Sequence, residues 1–156
     1  MLSPPSIVPE LEVRDLDTSL SVYLDVLGFT CRFRREEERF AYLVREGAHL
    51  MLEEQASGPG RQFHTAPLER PFGRGMNLQI QVSDIDTLYA NVQRAGIELV
   101  IPLEERWYRQ DDTEAGQRQF VMADPDGYRL RFFRDLGRRA WRGGLVMPPA
   151  PASLAG

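Results

Sequence analysis

Lysine is absent from this chain, and all 19 basic residues are arginine. That reads as a signature of base composition more than of function. Cysteine and histidine are almost as scarce: Cys31 stands alone, and His49 and His64 are the only histidines. One cysteine excludes an internal disulfide framework and a cysteine-based zinc cluster. Two histidines exclude a histidine-rich metal site within one chain. No apolar run approaches the ~18 residues of a membrane span. No basic segment followed by an apolar one opens the chain, so the expectation is a soluble, cytoplasmic protein. Excess positive charge is missing too: the net charge is −4, which excludes the basic footprint of a nucleic-acid binder. What is present is an ordinary globular mixture, 156 residues with 42% hydrophobic and 27% charged. That suffices for one domain, or two small halves sharing a core.

The chain reads as two copies of one pattern. Residues 7–13 alternate, with Ile7, Pro9, Leu11 and Val13 on one side and Val8, Glu10 and Glu12 on the other. This is a strand with one covered face. Pro9 cannot donate to a ladder, so the strand belongs at a sheet edge or turns that side outward. Asp17 or Thr18 is suited to cap a helix, whose stripe is Leu20, Tyr23, Leu24 and Leu27 and whose end is Gly28. Strands are predicted over 29–36, 39–45 and 48–53. After a Pro/Gly-rich stretch the order repeats: a strand over 75–82, a stripe of Leu88, Tyr89, Val92 and Ala95, Gly96, and strands over 98–105, 117–123 and 129–134. Asp84 lies 69 residues after Asp15, and Gly96 lies 68 after Gly28. Gly127 lies 80 after Gly47, so the second copy carries an insertion of about 12 residues, a hairpin around Trp107 and Tyr108. The predicted organisation is a lead-in at 1–6, modules at 7–54 and 75–136, a linker at 55–74 and an Arg- then Pro/Ala-rich tail at 137–156.

Val13-Arg14-Asp15-Leu16-Asp17, Tyr23, Leu27-Gly28-Phe29 and the turn Asp124-Pro125-Asp126-Gly127 with Tyr128-Arg129-Leu130 resemble the vicinal oxygen chelate superfamily. This superfamily includes glyoxalase I, extradiol dioxygenases and bleomycin-resistance proteins. The resemblance spans about 7–134 and implies an α+β fold: two βαβββ modules in tandem forming a curved mixed sheet with an open cleft. Fold alone does not assign function. Enzymes of the superfamily hold a divalent metal at four strand positions. Here those positions map to Val8, Met51, Asn77 and Arg131. Valine cannot coordinate, methionine suits soft metals, and arginine repels a cation. The expectation is therefore no metal and no cofactor. The pattern is similar to the bleomycin-resistance branch, which binds its drug in grooves at a dimer interface.

The resemblance thus implies a homodimeric antibiotic-sequestering protein whose partner is a small molecule such as a cationic glycopeptide, with no nucleic acid and no membrane. Glu10, Met51, Glu53, Asn77, Gln79, Arg131 and Phe133 alternate with helix-facing residues and are expected on the ligand face, with Trp107 and Tyr108 as its rim. Flat aromatics would stack on planar rings, amides would bond ligand amides, and carboxylates would attract a cation. Each has a plainer reading. Arg131 could pair internally with Glu10 or Glu53, Asn77 and Gln79 could be a solvated face, and Trp107 and Tyr108 could pack on the sheet or on a partner. Phe33, Phe40 and Tyr42 read as core or interface, Cys31 as a packed small residue, His64 as a linker residue. The alternative function is a glyoxalase- or dioxygenase-like enzyme, metal-dependent or using Glu10 or Glu53 as a general base.

Overall fold

A computed structural model describes residues 3–55 and 61–143. The centre of the linker, with Gly58, Pro59 and Gly60, and the Pro/Ala-rich end lie outside the described residues. In chain order the elements are β1 (Glu10–Val13), α1 (Leu16–Leu20), β2 (Thr30–Arg35), β3 (Phe40–Arg45), β4 (Ala48–Glu54), β5 (Asn77–Gln81), α2 (Ile85–Arg94), β6 (Leu99–Gln110), β7 (Thr113–Ala123) and β8 (Arg129–Ala140). They form two four-stranded sheets, ordered β1-β4-β3-β2 and β5-β8-β7-β6. In each, the edge strand that precedes the helix runs parallel to its neighbour and the other pairings are antiparallel. The fold is α+β with two tandem βαβββ modules, as expected from the repeat. The strands fall into two separate four-stranded sheets and not one continuous ladder.

Pro9 stands at the head of edge strand β1, where its missing N–H costs no ladder bond, and its carbonyl accepts the Met51 N–H at 2.9 Å. The helix cap is Asp15 rather than Asp17 or Thr18: Asp15 Oδ1 accepts the Thr18 N–H at 2.7 Å from an extended backbone. Asp84 repeats this with Thr87 at 3.1 Å. A cap must precede the first helical residue, and the alignment of Asp15 with Asp84 carried that signal. α1 passes directly into a π-helical stretch, Ser21–Val26, where the Leu27 N–H reaches the Val22 carbonyl. Such widening marks a local insertion in a helix.

Leu11, Val13, Leu20, Leu27, Leu50 and Leu52 are buried in the first half, and Ile80, Val82, Leu88, Val92, Leu130 and Phe132 in the second. Leu24 and Leu78 are only half-buried and pack against the core from its margin. One hydrophobic cluster runs through both modules, so they share a core on the helix-bearing side of the sheets. A polar joint locks them there. Buried Tyr23 donates its hydroxyl to Asp124 Oδ2 at 2.9 Å. Asp124 Oδ1 also accepts the N–H groups of Asp126 and Tyr128. Arg14 Nε contacts Asp126 Oδ1 at 2.6 Å, and the Tyr128 hydroxyl donates to the Glu12 carbonyl at 2.8 Å. Burial pushes the Asp124 carboxyl up to about 6, against the bonds that favour its charge. Gly127 adopts φ +92 in this turn, and a Cβ there would sit 2.6 Å from Pro71 Cβ. Only glycine fits both demands.

The strand predicted over 129–134 runs on to Ala140, so Arg138 and Arg139 are sheet residues and not tail. The insertion forms the expected hairpin, β6 turning into β7 at Asp111 and Asp112, and β8 lengthens to pair with it from Arg134 to Ala140. Long β8 satisfies main-chain groups that the insertion would otherwise leave open. No described helix is long and apolar enough to cross a membrane.

Candidate functional site

Strand pairing sorts the outer faces of both sheets. On the first, Glu10, Met51 and Tyr42 stand in one register row with Phe33, and Glu12, Glu53 and Phe40 stand in the next with Arg35. Cross-strand neighbours on one face touch, and here they build an aromatic ladder. The ring of Phe33 stacks on Tyr42 at 5.1 Å and on Phe40 at 6.1 Å. Arg35 closes the ladder over Phe40 at 3.8 Å, and Tyr42 meets His49 edge-on with its hydroxyl 2.8 Å from Nδ1. Phe40 and Tyr42 are buried, but Phe33 is 45% exposed. Beside the ladder lie three carboxylates. The Glu53 carboxyl is pushed up to about 7, first by burial, then by the hydrogen bond and charge of Glu10 and by the charges of Glu12 and Glu38. Like charge on the adjacent strand adds to burial in favouring the neutral form of Glu53. Glu12 behaves oppositely. Burial would raise it, but the His64 ring at 2.6 Å and the Phe63 and His64 N–H groups outweigh that and lower it. His64 thus fastens the linker to β1.

On the second sheet, Gln79 and Arg131 are register partners, and Phe133 faces both Gln81 and Gln119. Arg131 donates to Gln79 Oε1 and lies 5.9 Å from the Tyr108 ring centre. Buried Gln119 donates its amide to Glu104 at 3.1 Å and to the Tyr108 hydroxyl at 2.7 Å. Arg131 Nε and Gln119 Oε1 are buried without a hydrogen-bond partner, one donor and one acceptor. Asn77 is exposed at the start of β5, in register with Arg129.

The structure therefore gathers the sequence-predicted residues into two groups: Glu10, Met51 and Glu53 on the first sheet, and Asn77, Gln79, Tyr108, Arg131 and Phe133 on the second. Among the described residues no hydrogen bond, ion pair or ring contact joins the two groups. Arg131 pairs with neither Glu10 nor Glu53, because they lie on different sheets. Trp107 is misplaced in the expected rim. As the neighbour of Tyr108 along one strand it points to the opposite, helix-bearing face. There it covers Gly116, whose Cβ would fall 2.7 Å from the indole, and Arg139 lies 3.8 Å over the ring. Gln119 and Glu104 were missed because only the pairing of β6, β7 and β8 brings them beside Arg131. The ladder was not foreseen because strand aromatics read first as core or interface.

Residues 7–132 match the Glyoxalase/Bleomycin resistance protein/Dioxygenase superfamily. The chain belongs to that superfamily. It is 27% identical to the bleomycin resistance protein of Geobacillus stearothermophilus over 83% of this chain and 96% of that one. Among solved structures it is similar to TioX from Micromonospora sp. ML1, 25% identical with a TM-score of 0.64, over 83% of this chain and 98% of that one. It is also similar to a protein of unknown function from Agrobacterium tumefaciens, 27% identical with a TM-score of 0.61, over 87% and 98%.

The superfamily's enzymes imply a divalent metal, and the donor set here does not fit one. Val8 offers no donor, Met51 offers only a soft thioether, and Arg131 brings a guanidinium bonded to Gln79. Hard cations require several converging oxygen or nitrogen ligands. Among the described residues, no group of three or more His, Cys, Asp or Glu side chains converges to supply them.

Proposed function

We propose that this superfamily member is a small-molecule-binding protein of bleomycin-resistance type. It sequesters a planar, cationic glycopeptide drug in the cytoplasm as a homodimer, without metal chemistry. The observation that carries this reading is the aromatic ladder with exposed Phe33, bordered by the Glu10–Glu53 pair. A planar heterocycle stacks on such a ring, and a carboxylate beside it favours a cationic group. The name shared by the curated relatives supports the same class of ligand. The second sheet contributes amide recognition through Gln79, Gln119 and Arg131. Because the two groups are separate within one chain, a groove needs the first sheet of one copy against the second sheet of another. The edges of β1 and β5, unpaired among the described residues, are consistent with such association.

Calorimetric titration with bleomycin in the presence of EDTA tests the reading. Wild-type binding that weakens as salt rises is expected, since exposed charges are screened within ~10 Å at 0.1 M salt. Phe33→Ala should weaken it roughly 5- to 150-fold, the ~1–3 kcal/mol of a lost stacking contact. No binding by the wild type removes the drug reading. Light scattering at micromolar concentration that gives a monomer removes the shared groove.

A further inference from the structure

We propose that the cavity at the β2 corner of the first sheet binds the carboxylate of a small flat ligand, through the guanidiniums of Arg32 and Arg45 and the ring of His49. The cavity measures about 470 Å³, within the ~300–1,000 Å³ of small-ligand sites. Its floor is one register row, Thr30, Val44 and His49. Two arginines flank that floor. Arg32 is the extra residue of the bulge between Cys31 and Phe33, a device that re-aims a side chain out of the regular alternation. Arg45 follows Val44 and leaves the opposite face of β3. It lies against Gly28, where a Cβ would fall 3.2 Å from Arg45 Nη1, so the glycine opens the space that the guanidinium fills.

The other arginines of β2 and its turn into β3 have carboxylates. Arg34 pairs with Asp17 and Glu36, Arg35 with Glu38, and Arg39 with Asp17 and Glu54. Among the described residues no ion pair or hydrogen bond holds Arg32 or Arg45, and Arg45 Nε is buried without a partner. A buried N–H left unpaired is costly, and an anion in the cavity satisfies it. The neighbouring acids are engaged elsewhere. Both carboxylate oxygens of Glu46 accept the Ser83 N–H at 3.2 Å, and Asp84 accepts the N–H and hydroxyl of Thr87 at 3.1 and 2.7 Å. The Tyr42 hydroxyl lies 2.8 Å from His49 Nδ1, and a hydroxyl donating there leaves the ring proton on Nε2 as a further donor. Arg32 and Arg45 against Glu46 leave one net positive charge around the cavity, which balances a monoanionic carboxylate and not a dianionic phosphate. A guanidinium fork also meets a carboxylate through two bonds. His49 meets Tyr42 edge-on at 5.6 Å and Tyr42 stacks on Phe33, so rings continue from the cavity wall across the sheet and suit a flat ligand body. β2 and β1 are opposite edges of this sheet. The cavity is therefore apart from Glu10 and Glu53, and the inference stands without the drug-binding reading.

The test titrates sodium benzoate into the full chain at constant ionic strength and follows the Thr30, Val44 and His49 amide signals by NMR. Saturable shifts confined to this corner are expected, with a Kd of about 10 mM or tighter for so small a ligand. Benzamide, equally flat but uncharged, should bind at least ~10-fold more weakly. Arg32→Gln, at an exposed position, and Arg45→Gln should each weaken benzoate at least ~5-fold. The amide spectrum of each variant reports its fold, and Arg32→Gln decides the matter if Arg45→Gln does not fold. The proposal is overturned if benzoate at ~50 mM moves none of these signals, if benzamide binds as well as benzoate, or if either folded variant binds as tightly as the wild type. Inorganic phosphate that binds more tightly than benzoate overturns the carboxylate assignment. Bleomycin titration is read separately at Phe33, so either result can fail alone.

Discussion

The outer face of the first sheet carries stacked rings and the neighbouring carboxyls of Glu10 and Glu53. That of the second carries a guanidinium, amides and a phenol in a hydrogen-bonded cluster. Beneath, the modules are nearly interchangeable: a parallel edge pair, an Asp-capped helix and leucine-rich strands facing one core. The helix-facing sides must bury apolar surface to hold the shared core. The outer sides are free of that demand and can differ. The first helix departs from the second where its π-helical stretch delivers Tyr23 to Asp124, and this joint makes one body of the two modules.

The joint is the sharpest place to break the comparison. Asp124→Ala orphans the Tyr23 hydroxyl and two buried N–H groups. At ~1–3 kcal/mol for each unsatisfied group, a loss of at least ~3 kcal/mol is expected in urea unfolding. A loss under ~1 kcal/mol would show that the modules are held by apolar contact alone. Gly127→Ala should cost ~2 kcal/mol, because its positive φ and the 2.6 Å approach to Pro71 both oppose a side chain. Gly47→Ala, with open space around it, should be nearly silent by the same measurement.

The carboxyl pair predicts a pH profile. Glu53 titrates at about 7 in the folded chain and Asp124 at about 6, both above their ordinary values of 4.5 and 3.8. The folded state then holds more protons than the unfolded state between those limits, so both groups make stability fall as pH rises from about 4 to 7. Glu12, Asp15 and Asp84 are lowered and act oppositely, their contribution being lost on acidification through the folded values. Melting temperatures should therefore peak on the acid side of neutrality. Glu53→Gln, which imitates the protonated acid, should flatten the decline between about 4.5 and 7. An unaltered profile would disprove the raised Glu53 carboxyl. Only a small change in stability is expected at Phe33, 45% exposed, where Phe33→Ala should cost under ~1 kcal/mol. The drug titration then reads ligand contact at the first sheet with little interference from folding.

Much of this was legible in residue order. Alternation in 7–13 and 75–82, the glycines ending both helices and the matched aspartates marked two modules, because strands and amphipathic helices write their periods directly into sequence. Face membership followed from the same period for Glu10, Met51, Glu53, Gln79, Arg131 and Phe133. Strand ends were less legible: β8 lengthens to Ala140 only because the β6–β7 hairpin offers it a partner.

The amino-acid sequence by itself determined the repeat, the fold class and the side of each strand that faces the helices, since these depend on local period and on burial. Tertiary structure decided the rest, because register and packing join residues far apart in the chain. Pairing of β7 with β6 and β8 set Gln119 beside Tyr108 and near Arg131. Pairing of β6 with β7 through the insertion made Trp107 a ladder residue packed on Gly116 instead of a loop rim. The helix-side core left the two candidate ligand groups on separate sheets. No local pattern encodes these distances, which arise when non-local hydrogen bonds fix which residues become neighbours.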